Sequence, residues 1–275
     1  MRLGLVQMSM SESREENLEK ALKGVRVAAG RGADLVCLPE LFAWRYFPAT
    51  RTSHQGPVPI PGPQSRALAA SAKENGIILV GGSLFERSGV SAYNTCLVFD
   101  EQGRTLSKYR KVHIPQDEHY FEQDYFSPGA AYAVAKTRVG KVGTLICFDQ
   151  WYPEAARVNR LLGADIICYP TAIGWVKGIK PVEGDWHQAW EAVQVGHAIA
   201  NSVVVCAVNR TGREGDTSFW GGSFVCDQFG KVLFRAGAEE GVFTADVDLG
   251  LGRTVEEGWG FGRNRKPRTY RMIAR

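Results

Sequence analysis

The amino-acid sequence predicts an α/β protein in which two mixed β-sheets pack face to face between layers of helices, a four-layer α-β-β-α sandwich. Three observations favour this fold class. Short continuous apolar runs, typical of strands buried on both faces, alternate with amphipathic helical patterns along the 275 residues. A hairpin pattern adds antiparallel strands. One helix-to-strand unit occurs twice, as GADLVCLP at residues 32–39 and as GADIICYP at residues 163–170.

The repeated unit decides between this sandwich and an open, doubly wound sheet. Two similar halves would place two sheets face to face, each with its own helices outside. The alternative is chance similarity, because Gly-Ala-Asp before an apolar strand is a frequent connection between a helix and a strand. We favour a true repeat, since each copy follows a predicted helix and ends a buried strand.

The first half of the chain alternates strands and helices. Ser13, followed three residues later by Glu16, forms the pattern of a capping box for a helix that Gly30 ends. Beyond this helix, the pattern predicts strands at residues 2–8, 35–38 and 77–84, a helix at residues 64–74, and a hairpin of residues 93–99 and 105–109. Residues 113–129 lack a regular pattern, and because loops of this length are often functional, we expect them to form a wall of a site.

The second half continues the alternation. The predicted elements are strands at residues 142–146, 203–208, 219–226 and 242–247 and helices at residues 153–162 and 186–200. No linker separates them. We therefore expect one domain over residues 1–275, with a C-terminal arm from about residue 250.

Composition excludes several classes of protein. Hydrophobic residues make up 44% of the chain and charged residues 23%, which argues against a disordered or fibrous protein. The net charge of +4 is a small excess that implies no nucleic-acid partner. Neither a secretory signal nor an apolar run of about 20 residues is present, so we expect a cytoplasmic protein without membrane contact. Five of the six cysteines lie in apolar runs, which is typical of buried free thiols.

The remaining cysteine, Cys147, has a different context. It follows the predicted strand at residues 142–146 and precedes a helix that begins near Pro153. A side chain on such a turn is exposed at the carboxyl end of a strand, where backbone N–H groups can face an oxyanion. We predict that Cys147 is a nucleophile, and the alternative is another buried structural cysteine.

Two charged side chains follow other predicted strands. Glu40 comes directly after the first copy of the repeat, where an unpaired carboxylate would be costly. Lys111 follows the second hairpin strand, whose alternation sends Tyr109 and Lys111 to one face. Hydrolysis of an amide-type bond needs a nucleophile, a base and a positive group for the oxyanion. We therefore predict Glu40 as general base and Lys111 as electrostatic partner, with solvated loop positions as the alternative for both.

A cysteine–histidine protease is the rival arrangement. His113 and His197 are available as bases, but neither lies in a context typical of cysteine proteases. The pattern VGHAI around His197 is instead typical of a histidine in a buried helix.

Three segments of the chain, PELF at residues 39–42, YRKVH at residues 109–113 and ICFD at residues 146–149, resemble in order the three catalytic motifs of the nitrilase, or carbon–nitrogen hydrolase, superfamily. The resemblance covers nearly the whole chain. It implies the α-β-β-α sandwich, a homodimer or higher homo-oligomer, and a small amide or ureido substrate. It also implies a reaction that needs no metal or other cofactor.

The same resemblance assigns the roles of individual residues. The catalytic triad carries over to Glu40, Lys111 and Cys147, and the backbone N–H of Phe148 would join Lys111 in the oxyanion hole. The second glutamate of the family matches Glu122, which precedes the segment YFSPG. Glu118 is the nearby alternative for this position.

Within the superfamily, CFDQWYPEAAR at residues 147–157 and YPTAIG at residues 169–174 resemble the branch that hydrolyses N-carbamoyl amines such as N-carbamoylputrescine. Phe148-Asp149 replaces the Trp-Glu usual in true nitrilases, which disfavours nitrile hydrolysis. The alternatives are N-carbamoyl amino acids, ω-amides and aliphatic amides. The residues expected to contact the substrate are Tyr46, Asp149, Trp151 and Trp175.

The sequence also offers candidates for binding the far end of the substrate. Residues 116–121 and 176–188 depart from that branch and are expected to surround it. An ammonium group would need a carboxylate or an aromatic face, for which the candidates are Tyr46, Asp117, Glu118, Trp175, Glu183 and Asp185. A carboxylate would need Arg45 or Lys177. A different class of function is a silent scaffold, or a nucleic-acid binder using the basic residues 263–268, which lack interleaved aromatics.

Overall fold

The computed structural model describes residues 1–178 and 184–274. Within these ranges the helices are α1 (Arg14–Gly30), α2 (Pro63–Asn75), α3 (Pro153–Leu161), α4 (Trp186–Asn201) and α5 (Leu251–Trp259). The strands of the first half are β1 (Arg2–Gln7), β2 (Leu35–Cys37), β3 (Val58–Pro59), β4 (Ile78–Val80), β5 (Leu84–Ser88), β6 (Ser91–Phe99), β7 (Thr105–Arg110), β8 (Gln116–Asp117) and β9 (Tyr120–Phe121). Those of the second half are β10 (Val134–Thr137), β11 (Gly140–Thr144), β12 (Ile166–Thr171), β13 (Gly174–Val176), β14 (Val204–Asn209), β15 (Thr211–Glu214), β16 (Thr217–Trp220), β17 (Phe224–Cys226), β18 (Val232–Arg235) and β19 (Gly241–Asp246).

Two large mixed sheets organise the chain. The first has the order β19-β1-β2-β4-β6-β5-β3, with β7 also paired to β6, and the second has the order β10-β11-β12-β14-β17-β18. Parallel strands lie at the centre of each sheet, β1, β2 and β4 in the first and β11, β12 and β14 in the second. Antiparallel pairs flank them. Two small sheets, β13-β16-β15 and β8-β9, lie outside this frame.

The two large sheets pack face to face, as predicted. One continuous apolar core contains Leu5 of the first sheet together with Ile166 of the second and Trp190 of α4. A second core, which includes Val25 and Leu68, joins α1 and α2 to the outer face of the first sheet. The layers are therefore helix, sheet, sheet and helix, which is the α-β-β-α sandwich.

The repeated segment occupies equivalent places in the two sheets. β2 lies between two parallel neighbours in the first sheet, and β12 lies between two parallel neighbours in the second. Cys37 and Cys168, which share one position of the repeat, are both fully buried in the core between the sheets. Strands buried on both faces need apolar side chains at every position, which explains the continuous apolar runs.

The start of α1 shows half of the predicted capping box. Ser13 Oγ accepts a hydrogen bond from the backbone N–H of Glu16 at 3.2 Å. The Glu16 carboxylate, however, accepts from Ser11 Oγ at 2.7 Å instead of reaching the backbone N–H of Ser13. One exposed N–H of the first turn is thus capped by a side chain.

The strand predicted at residues 77–84 is divided, because the chain bends sharply at Gly82 between β4 and β5. Gly82 has a φ of +60°, and a Cβ at this position would lie 2.3 Å from the carbonyl oxygen of Pro39. The next residue, Ser83, accepts a hydrogen bond from the backbone N–H of Leu41 at 3.0 Å. The bend therefore supports the segment that follows β2. The strand predicted at residues 219–226 is divided in the same way, at two glycines with positive φ.

Two further segments are more regular than predicted. Residues 113–129 contain the β8–β9 hairpin and a 3-10 helix at Glu122–Asp124. The expected arm from about residue 250 begins with α5, whose Val255 is buried. No helix within residues 1–178 and 184–274 is both long and apolar enough to cross a membrane. The assignment of residues 1–275 to one domain stays a prediction.

Candidate active site

Cys147 lies on a tight turn between a strand and a helix, as predicted. The chain leaves β11, enters a 3-10 helix at Cys147–Trp151, and begins α3 at Pro153. Cys147 has a φ of +42°, a left-handed backbone conformation that is uncommon outside glycine. Such conformations cost free energy and cluster at functional sites, so this turn is a candidate nucleophile elbow.

Glu40 lies at the end of β2 and is fully buried. Its Oε1 accepts hydrogen bonds from Asn94 Nδ2 at 2.8 Å and from Lys111 Nζ at 2.9 Å. Its Oε2 is buried and has no hydrogen-bond donor among the residues that the structure describes. One carboxylate oxygen is thus held in place while the other keeps its lone pairs for a proton, as a general base requires.

Lys111 follows β7 and is also fully buried. Its Nζ bridges two carboxylates, at 2.9 Å from Glu40 Oε1 and 2.7 Å from Glu122 Oε2. Desolvation by itself would lower the pKa of Lys111, but the negative charges of Glu122 and Glu40 outweigh it, so the pKa is raised. The lysine is therefore a permanent positive charge within the site.

Glu122, and not Glu118, is the second glutamate at this lysine. Glu122 begins the 3-10 helix after β9, is fully buried, and accepts a hydrogen bond from the Tyr46 hydroxyl at 2.7 Å. The side chain of Glu118 is 85% exposed and points away from the cluster, with His119 as its neighbour at 3.9 Å. Glu122 is therefore the candidate for the second glutamate of the site.

The thiol of Cys147 experiences the charges of the same cluster. Burial raises the pKa of Cys147 well above its ordinary range, the charge of Glu40 raises it further, and Lys111 lowers it. The Sγ atom lies 3.7 Å from the carbonyl oxygen of Ala172. Because burial dominates, the resting group is a thiol, which needs a base before it can act as a nucleophile.

A cavity of about 360 Å³ opens onto Cys147 and Glu122. The loop predicted to form a wall of a site contributes Asp117 and Tyr120 to its lining. Trp151, at the end of the elbow helix, also lines the cavity, and its contact with the substrate stays a prediction. Cys147 and Glu122 thus reach the cavity directly, while Glu40 and Lys111 lie behind its wall, and four aromatic residues contribute to the lining.

Asp149 does not line this cavity, which contradicts the expectation that it binds the substrate. It is fully buried beneath the elbow, where it accepts hydrogen bonds from the Tyr109 hydroxyl at 2.7 Å and from the Ile146 N–H at 2.9 Å. The backbone N–H and ring Nδ1 of His113 lie at 3.0 and 2.7 Å. The carboxylate therefore ties the elbow to the segment around Lys111.

Tyr46 and Trp175 were also expected at the substrate, and neither lines the cavity. The Tyr46 ring is buried edge-on against Tyr120, and its hydroxyl is used by Glu122. Trp175 is 41% exposed and stacks on Trp186, with ring centroids 6.4 Å apart. Trp186 lines the cavity in its place, because β13 turns Trp175 to the outside.

Of the acidic candidates for the far end of a substrate, Asp117 alone among the described residues lines the cavity. Asp185 caps α4 by accepting a hydrogen bond from the Gln188 N–H at 3.0 Å. Glu183 lies outside the described residues. The candidates for binding a carboxylate lie elsewhere, because Arg45 pairs with Glu12 and Glu214, and Lys177 is exposed outside the lining.

The histidines of the rival cysteine–histidine hypothesis have other partners. His113 stacks on Tyr152 with centroids 3.6 Å apart and uses its Nδ1 for Asp149. His197 Nδ1 lies 3.0 Å from the Tyr169 hydroxyl, and burial lowers the pKa of His197 to about 4. Glu40 is therefore the better candidate base. Within the described residues, no group of three or more His, Cys, Asp or Glu side chains is arranged to hold a metal ion.

Sequence reasoning missed Arg210, a fully buried cation behind the site. Its guanidinium donates to the carbonyl oxygens of Glu40 at 2.8 Å, Leu41 at 3.2 Å and Trp44 at 3.3 Å, and to Glu214 Oε1 at 2.8 Å. Leu41 has a φ of +46°, so these bonds hold a segment in a left-handed conformation. No local pattern around Arg210 could indicate this role, because every carbonyl partner lies more than 160 residues away.

The ionisation of Glu122 leads to a prediction about stability. Burial raises the pKa of Glu122 from 4.5 to about 7, against the lowering effect of Lys111. Between these values the folded chain holds a proton that the unfolded chain has released, so this group makes the free energy of unfolding fall as pH rises. Glu122→Gln cannot titrate at this position. Relative to that variant, the free energy of unfolding of the wild-type protein should fall by on the order of 1–3 kcal/mol across that interval.

Urea unfolding of both proteins at pH 5 and pH 8 would measure this loss. Glu118→Gln, at an exposed position on the same loop, is the control and should follow the wild-type protein. A difference between wild-type protein and Glu122→Gln that does not change with pH would contradict the prediction.

A thiol beside a buried carboxylate–lysine–carboxylate cluster, on an α-β-β-α sandwich, defines the class of carbon–nitrogen hydrolases. The sequence profile described as Carbon-nitrogen hydrolase matches residues 2–257. The chain belongs to this family, within the nitrilase superfamily. This confirms the resemblance seen in the three motifs.

Several characterised relatives are similar over almost their full length. An N-carbamoylputrescine amidase from Solanum lycopersicum is 35% identical over 98% of this chain and 93% of its own. A citrullinase from Francisella tularensis is 34% identical over 100% and 98%. An omega-amidase from Xenopus laevis is 35% identical over 98% and 96%.

Solved structures give the same assignment. A carbon-nitrogen hydrolase from Helicobacter pylori superimposes with a TM-score of 0.93 at 33% identity, covering 100% of this chain and 98% of that one. A Glu-to-Gln mutant of an amidase from Nesterenkonia has a TM-score of 0.80 at 26% identity, covering 98% and 95%, and carries a covalent adduct at its active site cysteine. The fold prediction is thereby confirmed.

Proposed function

We propose that this protein hydrolyses the carbon–nitrogen bond of an N-carbamoyl amine such as N-carbamoylputrescine, through an intermediate bound covalently to Cys147. The observation that carries the proposal is the placement of Lys111 between Glu40 and Glu122, near the Cys147 thiol that lines the cavity. This arrangement supports a nucleophile, a base and a positive charge in one site.

In the first half of the reaction, Glu40 Oε2 takes the proton of the Cys147 thiol, and Sγ attacks the ureido carbon. The free lone pairs of Oε2 and the raised pKa of the thiol support proton transfer during the attack. The tetrahedral oxyanion is stabilised by Lys111 and by the N–H of Phe148. Phe148 lies in the first turn of the elbow helix, where N–H groups have no partner within the helix.

The intermediate collapses as the carbon–nitrogen bond breaks, and the departing nitrogen receives the proton from Glu40. Ammonia or an amine leaves, and the carbonyl carbon stays bonded to Sγ. Glu40 then takes a proton from water, the resulting hydroxide attacks this carbon, and Sγ departs and recovers its proton. Glu122, fixed by Tyr46, orients Lys111 during both halves.

The walls of the cavity support an N-carbamoyl amine over an N-carbamoyl acid. Asp117 lines the cavity, and among the described residues no lysine or arginine does. Trp151 and Trp186 add aromatic faces suited to an ammonium group. The similarity to N-carbamoylputrescine amidases also supports an N-carbamoyl amine. The similarity to the citrullinase and to the omega-amidase makes a carbamoyl amino acid and an ω-amide the alternative substrates.

A side-by-side assay tests the substrate. We expect the highest kcat/KM with N-carbamoylputrescine, compared with N-carbamoyl-β-alanine, citrulline and α-ketoglutaramate. Replacing Asp117 with asparagine should raise KM for N-carbamoylputrescine by about 3- to 10-fold, because one ion pair near the mouth is lost. The KM for α-ketoglutaramate, which has no ammonium group, should not rise.

The control for this variant is Glu118→Gln, the adjacent exposed acid. An equal rise in KM for all four compounds would argue against recognition of an ammonium group by Asp117. If one of the other three compounds gives a higher kcat/KM, that compound becomes the proposed substrate instead of N-carbamoylputrescine. Residence in the cytoplasm and assembly into a homo-oligomer stay predictions.

A further inference from the structure

Gln150 is a polar side chain of the cavity that the proposed reaction does not use. It lies in the elbow helix three residues after Cys147 and lines the same cavity. In a 3-10 helix, residues three apart lie on the same face, roughly 6 Å apart along the axis. Gln150 therefore lies one helical turn from the residue whose sulfur attacks the substrate carbon.

The orientation of this amide is determined by its neighbour. Trp190 donates its indole Nε1–H to Gln150 Oε1 at 2.8 Å. Because an indole nitrogen can only donate, the oxygen of the amide must face Trp190 and the NH₂ group must face the other way. Thr171 Oγ1, at 3.4 Å from the same oxygen, agrees with this orientation.

The NH₂ group that results has no partner in the protein. Gln150 is fully buried, and no acceptor among the residues 1–178 and 184–274 lies within hydrogen-bond distance of its Nε2. Buried donors without a partner are costly and therefore rare in folded proteins. Because Gln150 lines the cavity, a bound ligand could supply the acceptor that this NH₂ group lacks.

We propose that the NH₂ group of Gln150 binds an oxygen atom of the substrate, within one helical turn of the carbon attacked by Cys147. The oxygen belongs to the reacting carbonyl group or to a carboxylate near it. An ammonium group is excluded from this position, because it offers only donors. The inference rests on the proposed function of the cavity and adds a binding residue to it.

Two variants of Gln150 test the proposal. Gln150→Glu keeps an oxygen for Trp190 and removes the donor, and Gln150→Met removes both. In a Cys147→Ala background, we expect either change to weaken binding of a ureido compound that supplies this oxygen by about 10- to 100-fold in calorimetry. N-Carbamoylputrescine supplies the ureido oxygen only. In the background with Cys147 intact, KM should rise more than kcat falls, which a general loss of structure would not produce.

N-Carbamoyl-β-alanine distinguishes the two sources of the oxygen, because it adds a carboxylate to the same ureido group. An equal loss of affinity for both compounds would place the hydrogen bond on the ureido oxygen. A loss confined to N-carbamoyl-β-alanine would place it on the carboxylate.

Gln194→Met is the matched control. Gln194 is also a fully buried glutamine bonded to Trp190, through its NH₂ and the Trp190 carbonyl oxygen at 3.0 Å, but it does not line the cavity. Affinities in both Gln150 variants equal to those of the control would overturn the inference and leave the proposed function intact. If the wild-type protein hydrolyses neither ureido compound, that proposed function fails, and the same variants are compared on whichever amide it does hydrolyse.

Discussion

Replacing Cys147 with alanine is expected to lower kcat by at least about 10⁴-fold on whichever amide or ureido compound the wild-type protein hydrolyses best. The variant lacks the atom that forms the covalent intermediate, and water is a poor substitute at this position. Ammonia release under saturating substrate measures the loss. Because alanine is smaller than cysteine and fits the turn, the folded structure and substrate binding should persist.

The matched control is Cys96→Ala, which removes another buried free thiol from the core between the sheets. It should keep turnover close to the wild-type value, at some cost in thermal stability. Intact-mass measurement after rapid quenching adds a direct readout, since an adduct of substrate mass should appear on the wild-type protein and not on Cys147→Ala. Turnover by Cys147→Ala within 10-fold of the wild-type rate would contradict the role of Cys147 as nucleophile.

Replacing Glu40 with glutamine is expected to lower kcat by about 10²- to 10⁴-fold, the usual contribution of a general base. Glutamine has nearly the same size and shape as glutamate. The amide oxygen can keep the hydrogen bonds from Asn94 and Lys111, and the amide nitrogen takes the place of Oε2, which has no donor among the described residues. The change therefore removes proton acceptance and leaves the framework of the site.

Glu86→Gln is the control for loss of a buried carboxylate. Glu86 accepts hydrogen bonds from Thr95 and Arg110 on the first sheet and is 1% exposed, so its loss should reduce stability without reducing kcat. Full turnover in Glu40→Gln would rule out its role as base.

The charges of the site explain why its parts depend on one another. Lys111 is one cation between two carboxylates, and all three side chains are fully buried. An excess negative charge in such a place is costly, which is why burial raises the pKa of Glu122 to about 7 and opposes ionisation of Cys147. The substrate oxyanion would thus compete for a lysine that already has two partners.

Much of the fold was predictable because its signals are local. The apolar runs, the hairpin at residues 93–109 and the repeat each reflect periodicity within about ten residues. The errors occurred where a glycine interrupts an apolar run, as at Gly82, because hydrophobicity continues while the backbone turns. The Pro39 carbonyl that requires this glycine is more than 40 residues away.

The candidate site was predictable in part for a similar reason. Glu40, Lys111 and Cys147 each follow a strand, and the ends of neighbouring strands converge. Asp149 was assigned to the substrate because it is polar and lies beside the nucleophile. Its four hydrogen bonds beneath the elbow come from residues 3 to 40 positions away, and adjacency in sequence cannot show the side on which a side chain lies.

The sequence by itself determined the class of fold and the three residues proposed for catalysis, because hydrophobic periodicity and short motifs are properties of neighbouring residues. The tertiary structure alone decided that Arg210 holds the segment after β2, that Asp149 supports the elbow, and that Gln150 Oε1 faces Trp190. Those outcomes depend on which side chains become buried together, and burial is decided only when segments distant in the chain have packed.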